Sequence, residues 1–107
     1  MARCNITGDE GEFLGWFDNH AVRASFDEDT WFNGHNHISK ATGSQWVHET
    51  LYLTNKNTWV IKNNSAWRTK YTKVDKTEAA VWLMQNDYEG SNDIPDEIKE
   101  IMNSHEM

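Results

Sequence analysis

The alternation of apolar and polar residues predicts antiparallel strands in the middle of the chain. The run ETLYLT (49–54) places its two leucines on one side and its tyrosine on the other, which is typical of a half-buried strand. A polar turn, NKN (55–57), and the β-rich run TWVIK (58–62) complete a predicted hairpin. A second turn, NNS (63–65), leads into AWRTKYTKV (66–74). The pattern therefore predicts three consecutive antiparallel strands.

The first part of the chain has weaker periodicity. The apolar run EFLGWF (12–17) predicts a strand. We expect a short helix over 18–25, with Asp18 as its N-cap. The segment 26–32 mixes acidic and apolar residues and fits either a strand or a loop, and 33–46 is rich in turn-forming residues. We expect the latter to be a loop with short extended pieces.

The last part of the chain predicts two helices. Asp75, followed three residues later by Glu78 and an apolar run, forms a capping-box pattern that starts a helix over 76–86. Pro95 suits the first turn of a second helix. The apolar stripe of that helix comprises Ile94, Ile98, Ile101 and Met102, and we expect it to dock on the domain's own core. The predicted fold class is therefore α+β, a small antiparallel β-meander with C-terminal helices packed on one face.

Length and composition indicate one domain over residues 1–107, with 1–8 and 104–107 expected to fray. The single cysteine, Cys4, excludes an intrachain disulfide. Mean hydropathy is -0.83, and no apolar run approaches the roughly 20 residues that span a bilayer. We therefore expect no membrane contact, and the cytoplasm is the simplest compartment.

Charge is unevenly distributed along a chain whose net charge is -7. Residues 1–31 hold seven acidic and two basic residues, and 77–107 hold eight acidic residues and one basic residue. Residues 54–76, in contrast, hold six basic residues and one acidic residue. Such a field can steer a charged partner without bearing on the fold. Two interpretations stay open: an acidic surface for a basic partner, or acidic helices that neutralise the basic strands.

The stretch FNGHNHIS contains the tripeptide His35-Asn36-His37, whose letters match those that name the HNH nucleases. In that class the three residues are spread over a ββα-metal unit and are not contiguous. A motif supports a function only in its structural context, so the tripeptide is not that signature.

A metal site is a separate alternative for the same stretch. If 35–38 were extended, His35 and His37 would point to the same side, and His48 or Glu49 would complete the ligand set. The preceding Asn-Gly pair favours a turn instead, with His37 bonded locally and His35 solvated. We expect no cofactor, and a metal-dependent hydrolase at the His37/His48 cluster stays as an alternative.

Six tryptophans are unusual in a chain of 107 residues. Most are expected in the core, because each buries a large apolar area. One or two exposed tryptophans would be natural anchors for a protein partner. The six are Trp16, Trp31, Trp46, Trp59, Trp67 and Trp82.

The predicted third strand offers an alternative partner. Trp67 and Tyr71 would stack nucleic-acid bases while Arg68 and Lys70 hold phosphates. This reading requires both faces of one strand to cooperate, and the chain as a whole is acidic. We therefore favour a protein partner over direct nucleic-acid binding.

The sequence NHISKATGSQWVHETLYLTNKNTWVI, followed by SAW, a tyrosine and EAAVWL, resembles a group of small uncharacterised prokaryotic proteins. The resemblance covers about residues 31–88 and implies no established activity. The group's pattern includes Asn36 and His37 but no histidine at position 35, which weakens the metal hypothesis. The candidate cluster that it implies comprises Asn36, His37, Gly43, Ser44, Gln45, Trp46, His48 and Glu49.

Small size, acidity, excess tryptophan and the missing catalytic motifs favour a non-enzymatic regulator or inhibitor that acts by protein–protein contact. We expect a protein of the kind that phages or plasmids carry, directed at a nucleic-acid machine such as a CRISPR effector and acting in part as a DNA mimic. Some members of the similar group carry a ribbon-helix-helix-like tail. That feature implies the alternative of a sensory or dimerisation domain of a transcriptional regulator or antitoxin.

Overall fold

The computed structural model describes residues 3–8, 10–44, 46–86, 88 and 94–106. Within them the chain forms eight strands and two helices and is mostly β in content. The elements are β1 (Arg3–Thr7), β2 (Phe13–Asp18), β3 (Val22–Asp27), β4 (Thr30–Phe32), β5 (His37–Ser39), β6 (His48–Thr54), β7 (Trp59–Asn64), β8 (Thr69–Val74), α1 (Lys76–Gln85) and α2 (Asp96–Ser104).

Six of the strands form one sheet in the order β2-β1-β8-β7-β6-β3, and β4 pairs with β5 in a separate two-stranded sheet. Strands β6, β7 and β8 form the predicted antiparallel meander. However, β1 pairs with β8 in parallel, through Ile6 with Tyr71 and Thr7 with Thr72. The prediction of a purely antiparallel meander is therefore only partly correct, because the sheet is mixed.

The six-stranded sheet is strongly curled. Its edge strands β2 and β3 follow each other in the chain and are joined only by residues 19–21. A flat sheet would separate these edges by about 24 Å, which is farther than so short a linker reaches. The curl brings the Phe17 ring on β2 to 5.4 Å from the Tyr52 ring on β6 and to 5.5 Å from the Tyr71 ring on β8.

Two apolar clusters hold the molecule together, one on each side of the sheet. The cluster inside the curl comprises Cys4, Ile6, Phe17, Tyr52 and Val60. The larger cluster lies under the helices and comprises Phe26, Leu51, Leu53, Trp59, Val74, Ala79, Ala80, Trp82, Leu83, Ile94, Ile98 and Met102. The alternation predicted for β6 is thus confirmed, because its leucines face the helices and Tyr52 faces the other side.

Both predicted helices are confirmed. The Asp75 carboxylate accepts the backbone N–H of Glu78 at 2.8 Å and caps α1. Pro95 stands at the N-cap of α2, and Ile98 and Met102 on that helix are buried in the domain's own core. Among the described residues, no helix combines the length and the apolar composition that a membrane span requires.

Three local predictions are wrong. A helix was expected over 18–25, but residues 22–25 lie in β3, and Asp18 accepts the N–H of His20 in a turn rather than capping a helix. Residues 3–7, expected to fray, form β1, which buries Cys4 and Ile6. Strand β8 begins only at Thr69, so the two residues before it lie in a turn rather than on a strand face.

Candidate functional site

One end of the sheet carries most of the residues that the sequence singles out. His48 at the start of β6 pairs with Asn64 at the end of β7, which pairs with Thr69 at the start of β8. His48 and Thr69 are therefore about 10 Å apart, two strand spacings. The segment 30–47 runs directly into His48, and the turn 65–68 runs directly into Thr69. Gln45, a predicted binding residue in the first of these stretches, lies outside the described residues.

The β4–β5 hairpin displays two aromatic side chains. Trp31 is opposite Ile38, and Phe32 is opposite His37. Ile38 is buried, whereas Trp31 and Phe32 are 50% and 61% exposed. The Phe32 and His37 ring centroids are 5.3 Å apart. Because successive strand residues point to opposite faces, Trp31 shares one face of the hairpin with the buried Ile38, and Phe32 shares the other face with His37.

A tight turn joins the two strands of this hairpin. The Asn33 side-chain oxygen accepts the backbone N–H groups of His35 and Asn36, both at 2.9 Å. The Asn33 N–H in turn donates to the Asn36 carbonyl at 3.1 Å, and Gly34 takes a positive φ of 102°. The metal hypothesis requires His35 and His37 on one extended strand. His35 instead lies in the turn, so this requirement is not met. No group of three or more His, Cys, Asp or Glu side chains suited to a metal ion occurs among the described residues.

The loop after β5 is fixed by its own short polar side chains. The buried Ser39 hydroxyl accepts the N–H of Thr42 at 3.2 Å, and the Ser39 carbonyl accepts the N–H of Gly43 at 2.8 Å. The Thr42 hydroxyl donates to the Val47 carbonyl at 2.7 Å. Trp46, with its N–H bonded to the Ser44 hydroxyl at 3.0 Å, is 72% exposed. The described residues of the ATGSQW motif, 41–44 and 46, thus form a hydrogen-bonded loop that displays a tryptophan.

Glu28, which the sequence did not single out, anchors this loop to the sheet. Its carboxylate accepts the Ser39 hydroxyl at 2.9 Å, His48 Nδ1 at 2.7 Å and the backbone N–H of Glu49. The Glu28 side chain is only 9% exposed, against 48% for His48. Because the carboxylate only accepts, His48 carries its proton on Nδ1 in this pair. The Ser39 side chain is fully buried, so its hydroxyl is not presented to solvent.

Glu49 is structural rather than displayed. Its two carboxylate oxygens accept Trp82 Nε1 and Asn63 Nδ2, each at 3.1 Å. These bonds tie β6 to α1 and to β7. Glu49 was predicted as a binding residue, but its hydrogen-bonding capacity is directed inward.

The turn 65–68 displays another aromatic side chain. The Ser65 hydroxyl accepts the N–H groups of Trp67 and Arg68, both at 3.4 Å, and the Ser65 N–H donates to the Arg68 carbonyl at 3.0 Å. Trp67 is 93% exposed on this turn. Tyr71, expected beside it on one strand face, is instead half-buried against Phe17. Burial and a hydrogen bond with the Cys4 thiol raise the pKa of Tyr71.

The segment that carries Asn36, His37 and Trp46 thus leads into His48, and the turn that carries Trp67 leads into Thr69 at the same end of the sheet. The structure adds Trp31 and Phe32, which sequence reasoning had not selected as site residues. The sequence feature that could have indicated them is a pair of adjacent aromatic residues that follows the acidic run 27–29. The local sequence does not tell exposed aromatic residues from buried ones, because contacts with distant parts of the chain decide which rings are covered.

Comparisons of the chain with protein-family models, with curated proteins and with solved structures return no match. The resemblance to the group of small prokaryotic proteins therefore stays a hypothesis.

Proposed function

We propose that this protein is a non-enzymatic binding protein that recognises a protein partner through the segment 30–47. The observation that carries the proposal is the exposure of three aromatic rings on one pre-organised segment. Trp31, Phe32 and Trp46 are 50%, 61% and 72% exposed. Aromatic residues of this kind dominate the binding energy of protein interfaces.

The rigidity of the segment favours binding. The Asn33 and Ser39 side chains accept backbone N–H groups of the segment, and the Thr42 hydroxyl donates to a backbone carbonyl. Glu28 in turn accepts the Ser39 hydroxyl and so holds Ser39 in place. A partner therefore meets a surface that is already ordered, and the entropic cost of association is lower than for a flexible loop. Covering the remaining exposed area of one such ring contributes about 2 kcal/mol.

The net charge of the chain, -7, supports a partner with a basic surface. A nucleic-acid machine presents such a surface in its nucleic-acid channel, and a CRISPR effector is one example. An inhibitor carried by a phage or plasmid would occupy that channel by charge mimicry while the aromatic rings supply affinity.

A pull-down with matched variants tests the proposal. The tagged protein is incubated with lysate of its source organism at low salt, and retained proteins are identified by mass spectrometry. We expect Trp46→Ala and Phe32→Ala each to weaken capture of a specific protein at least tenfold. Phe13→Ala is the matched control, because Phe13 on β2 is 60% exposed, against 61% for Phe32.

Two results would overturn the proposal. One is that no protein is retained by the unaltered chain. The other is that Phe13→Ala reduces capture as strongly as Phe32→Ala, because the contact would then not be specific to the segment 30–47.

A further inference from the structure

A polar cleft of about 650 Å³ lies between β1 and the start of β8. The two strands pair only at Ile6 with Tyr71 and at Thr7 with Thr72. Residues 3–5 and 68–70 form no such pairs with each other, and both stretches line the cleft. The cleft is therefore a consequence of the short parallel pairing.

The cleft collects positive charge in an acidic protein. Among the described residues that line it, Arg3, Arg68 and Lys70 face one carboxylate, Glu10. The chain as a whole has 17 acidic residues against 10 lysines and arginines. Even so, none of the ion pairs among the described residues involves these three cations. The Arg3 guanidinium lies over the Trp16 ring, 5.1 Å from its centroid, which restricts its position.

An exposed aromatic residue stands next to one of these cations in the chain. Trp67 directly precedes Arg68 in the turn held by Ser65. Its ring is 93% exposed, so a flat ligand can stack on it without displacing protein contacts. Proteins that bind single-stranded nucleic acid combine basic side chains, which hold the phosphates, with aromatic side chains, on which the bases stack.

We propose that the cleft binds single-stranded nucleic acid, with Arg3, Arg68 and Lys70 on the phosphates and Trp67 under a base. On a single strand, stacking and phosphate binding would require both faces of the strand to contact the same ligand. This requirement does not arise here, because Trp67 and Arg68 lie in a turn and Tyr71 is not needed for stacking. The site is distinct from the segment 30–47 and does not depend on the proposed protein contact. The acidic remainder of the surface repels a polyanion, so binding is weak and confined to the cleft.

Fluorescence anisotropy with the full chain and a labelled oligothymidylate of about 15 nucleotides tests the proposal. We expect a Kd of about 10–100 µM at about 50 mM salt. Three phosphate contacts on a single strand predict that log Kd rises with log salt concentration with a slope of about 2.

Variants separate the contributions of charge and stacking. The double substitution Arg68→Ala/Lys70→Ala is expected to weaken binding at least tenfold and to lower the salt slope by about 1.4. Trp67→Ala is expected to weaken binding at least fivefold while the salt slope stays unchanged. The matched control is Lys73→Ala/Lys99→Ala, which changes the net charge equally outside the cleft and should leave Kd within about twofold.

Three outcomes would overturn the proposal. The first is no change in anisotropy at low salt. The second is equal loss of binding in the control double variant, which would indicate an effect of net charge alone. The third is competition by inorganic phosphate as effective, per phosphate, as competition by the oligonucleotide. Because the protein-capture variants leave Trp67, Arg68 and Lys70 intact, this proposal and the proposed function can fail independently.

Discussion

Glu28 connects three parts of the molecule through one carboxylate. It accepts hydrogen bonds from Ser39 in the loop, from the His48 ring and from the backbone of Glu49 at the start of β6. In the sequence it is the middle residue of an acidic triplet with no distinguishing neighbour. Its partners lie 11 to 21 residues away, so local pattern does not identify it.

Substituting Glu28→Gln tests this connection. One acceptor oxygen becomes an NH₂ donor that faces other donors, so we expect a loss of about 1–3 kcal/mol in the free energy of unfolding. Urea denaturation followed by circular dichroism measures it. Glu100→Gln on α2 removes the same charge at an exposed position and should change stability by less than about 0.5 kcal/mol. Equal effects of the two substitutions would refute the anchoring role.

Tyr71 makes stability depend on pH in the alkaline range. Burial, followed by the hydrogen bond with Cys4, raises the pKa of Tyr71 above its ordinary value of about 10. Above about pH 10 the unfolded chain releases this proton while the folded chain keeps it, so stability falls as pH rises. The contribution is fully present below that pH.

Urea denaturation at about pH 9, 10 and 11 measures this dependence. Tyr71→Phe should show a shallower decline of the unfolding free energy than the unaltered chain does. A remaining decline is expected, because burial also raises the pKa of Tyr52 and Tyr88. An identical decline in the two proteins would contradict the assignment to Tyr71.

At the scale of elements, local sequence predicts those whose stabilising contacts are close in the chain. The β6–β7 hairpin follows from alternation around a polar turn, and α1 follows from its cap at Asp75. Strand β1 was not predicted, because its neighbours include β8, far along the chain. The short strands β4 and β5 and the ordered loop after them depend on Glu28 and on local side-chain bonds that no periodicity reveals.

The cap of α1 gives a prediction at this scale. Asp75→Ala removes the acceptor for the Glu78 N–H and should lower the free energy of unfolding by about 1 kcal/mol. Asp96→Ala is the control, because Asp96 opens α2, whose N-cap makes no side-chain hydrogen bond. Its expected effect, a weakened dipole interaction, is about 0.3–1 kcal/mol. Thermal denaturation followed at 222 nm compares the two, and a larger loss in the control would contradict the cap assignment.

At the scale of the whole molecule, the number of exposed tryptophans differs from the prediction. Only Trp59 and Trp82 are buried, at 3% and 4% exposure, whereas most of the six were expected in the core. The other four lie on an edge strand, on the small hairpin or in loops, where no element among the described residues covers them. Whether a tryptophan is covered depends on topology, which local pattern does not specify.

Fluorescence quenching tests this distribution. Acrylamide should readily quench the fluorescence of the four exposed tryptophans, because solvent reaches their rings. The buried Trp59 and Trp82 should leave a blue-shifted component that resists quenching. Replacing both buried residues by Phe, in protein verified to be folded by circular dichroism, should remove the resistant component. Replacing Trp46 and Trp67 should leave it in place. A resistant component that survives loss of the two buried rings would contradict the structure.

The parallel pairing of β1 with β8 has a consequence for synthesis of the chain. Strand β1 is synthesised before β8 but takes its full place in the sheet only after β8 is available, because Ile6 pairs with Tyr71. Until β8 has emerged, the β1–β2 hairpin exposes Phe17 and Ile6 without their later partners. We therefore expect nascent chains that stop before residue 69 to be the form most prone to aggregation and to need chaperones, because their apolar surface lacks its docking site.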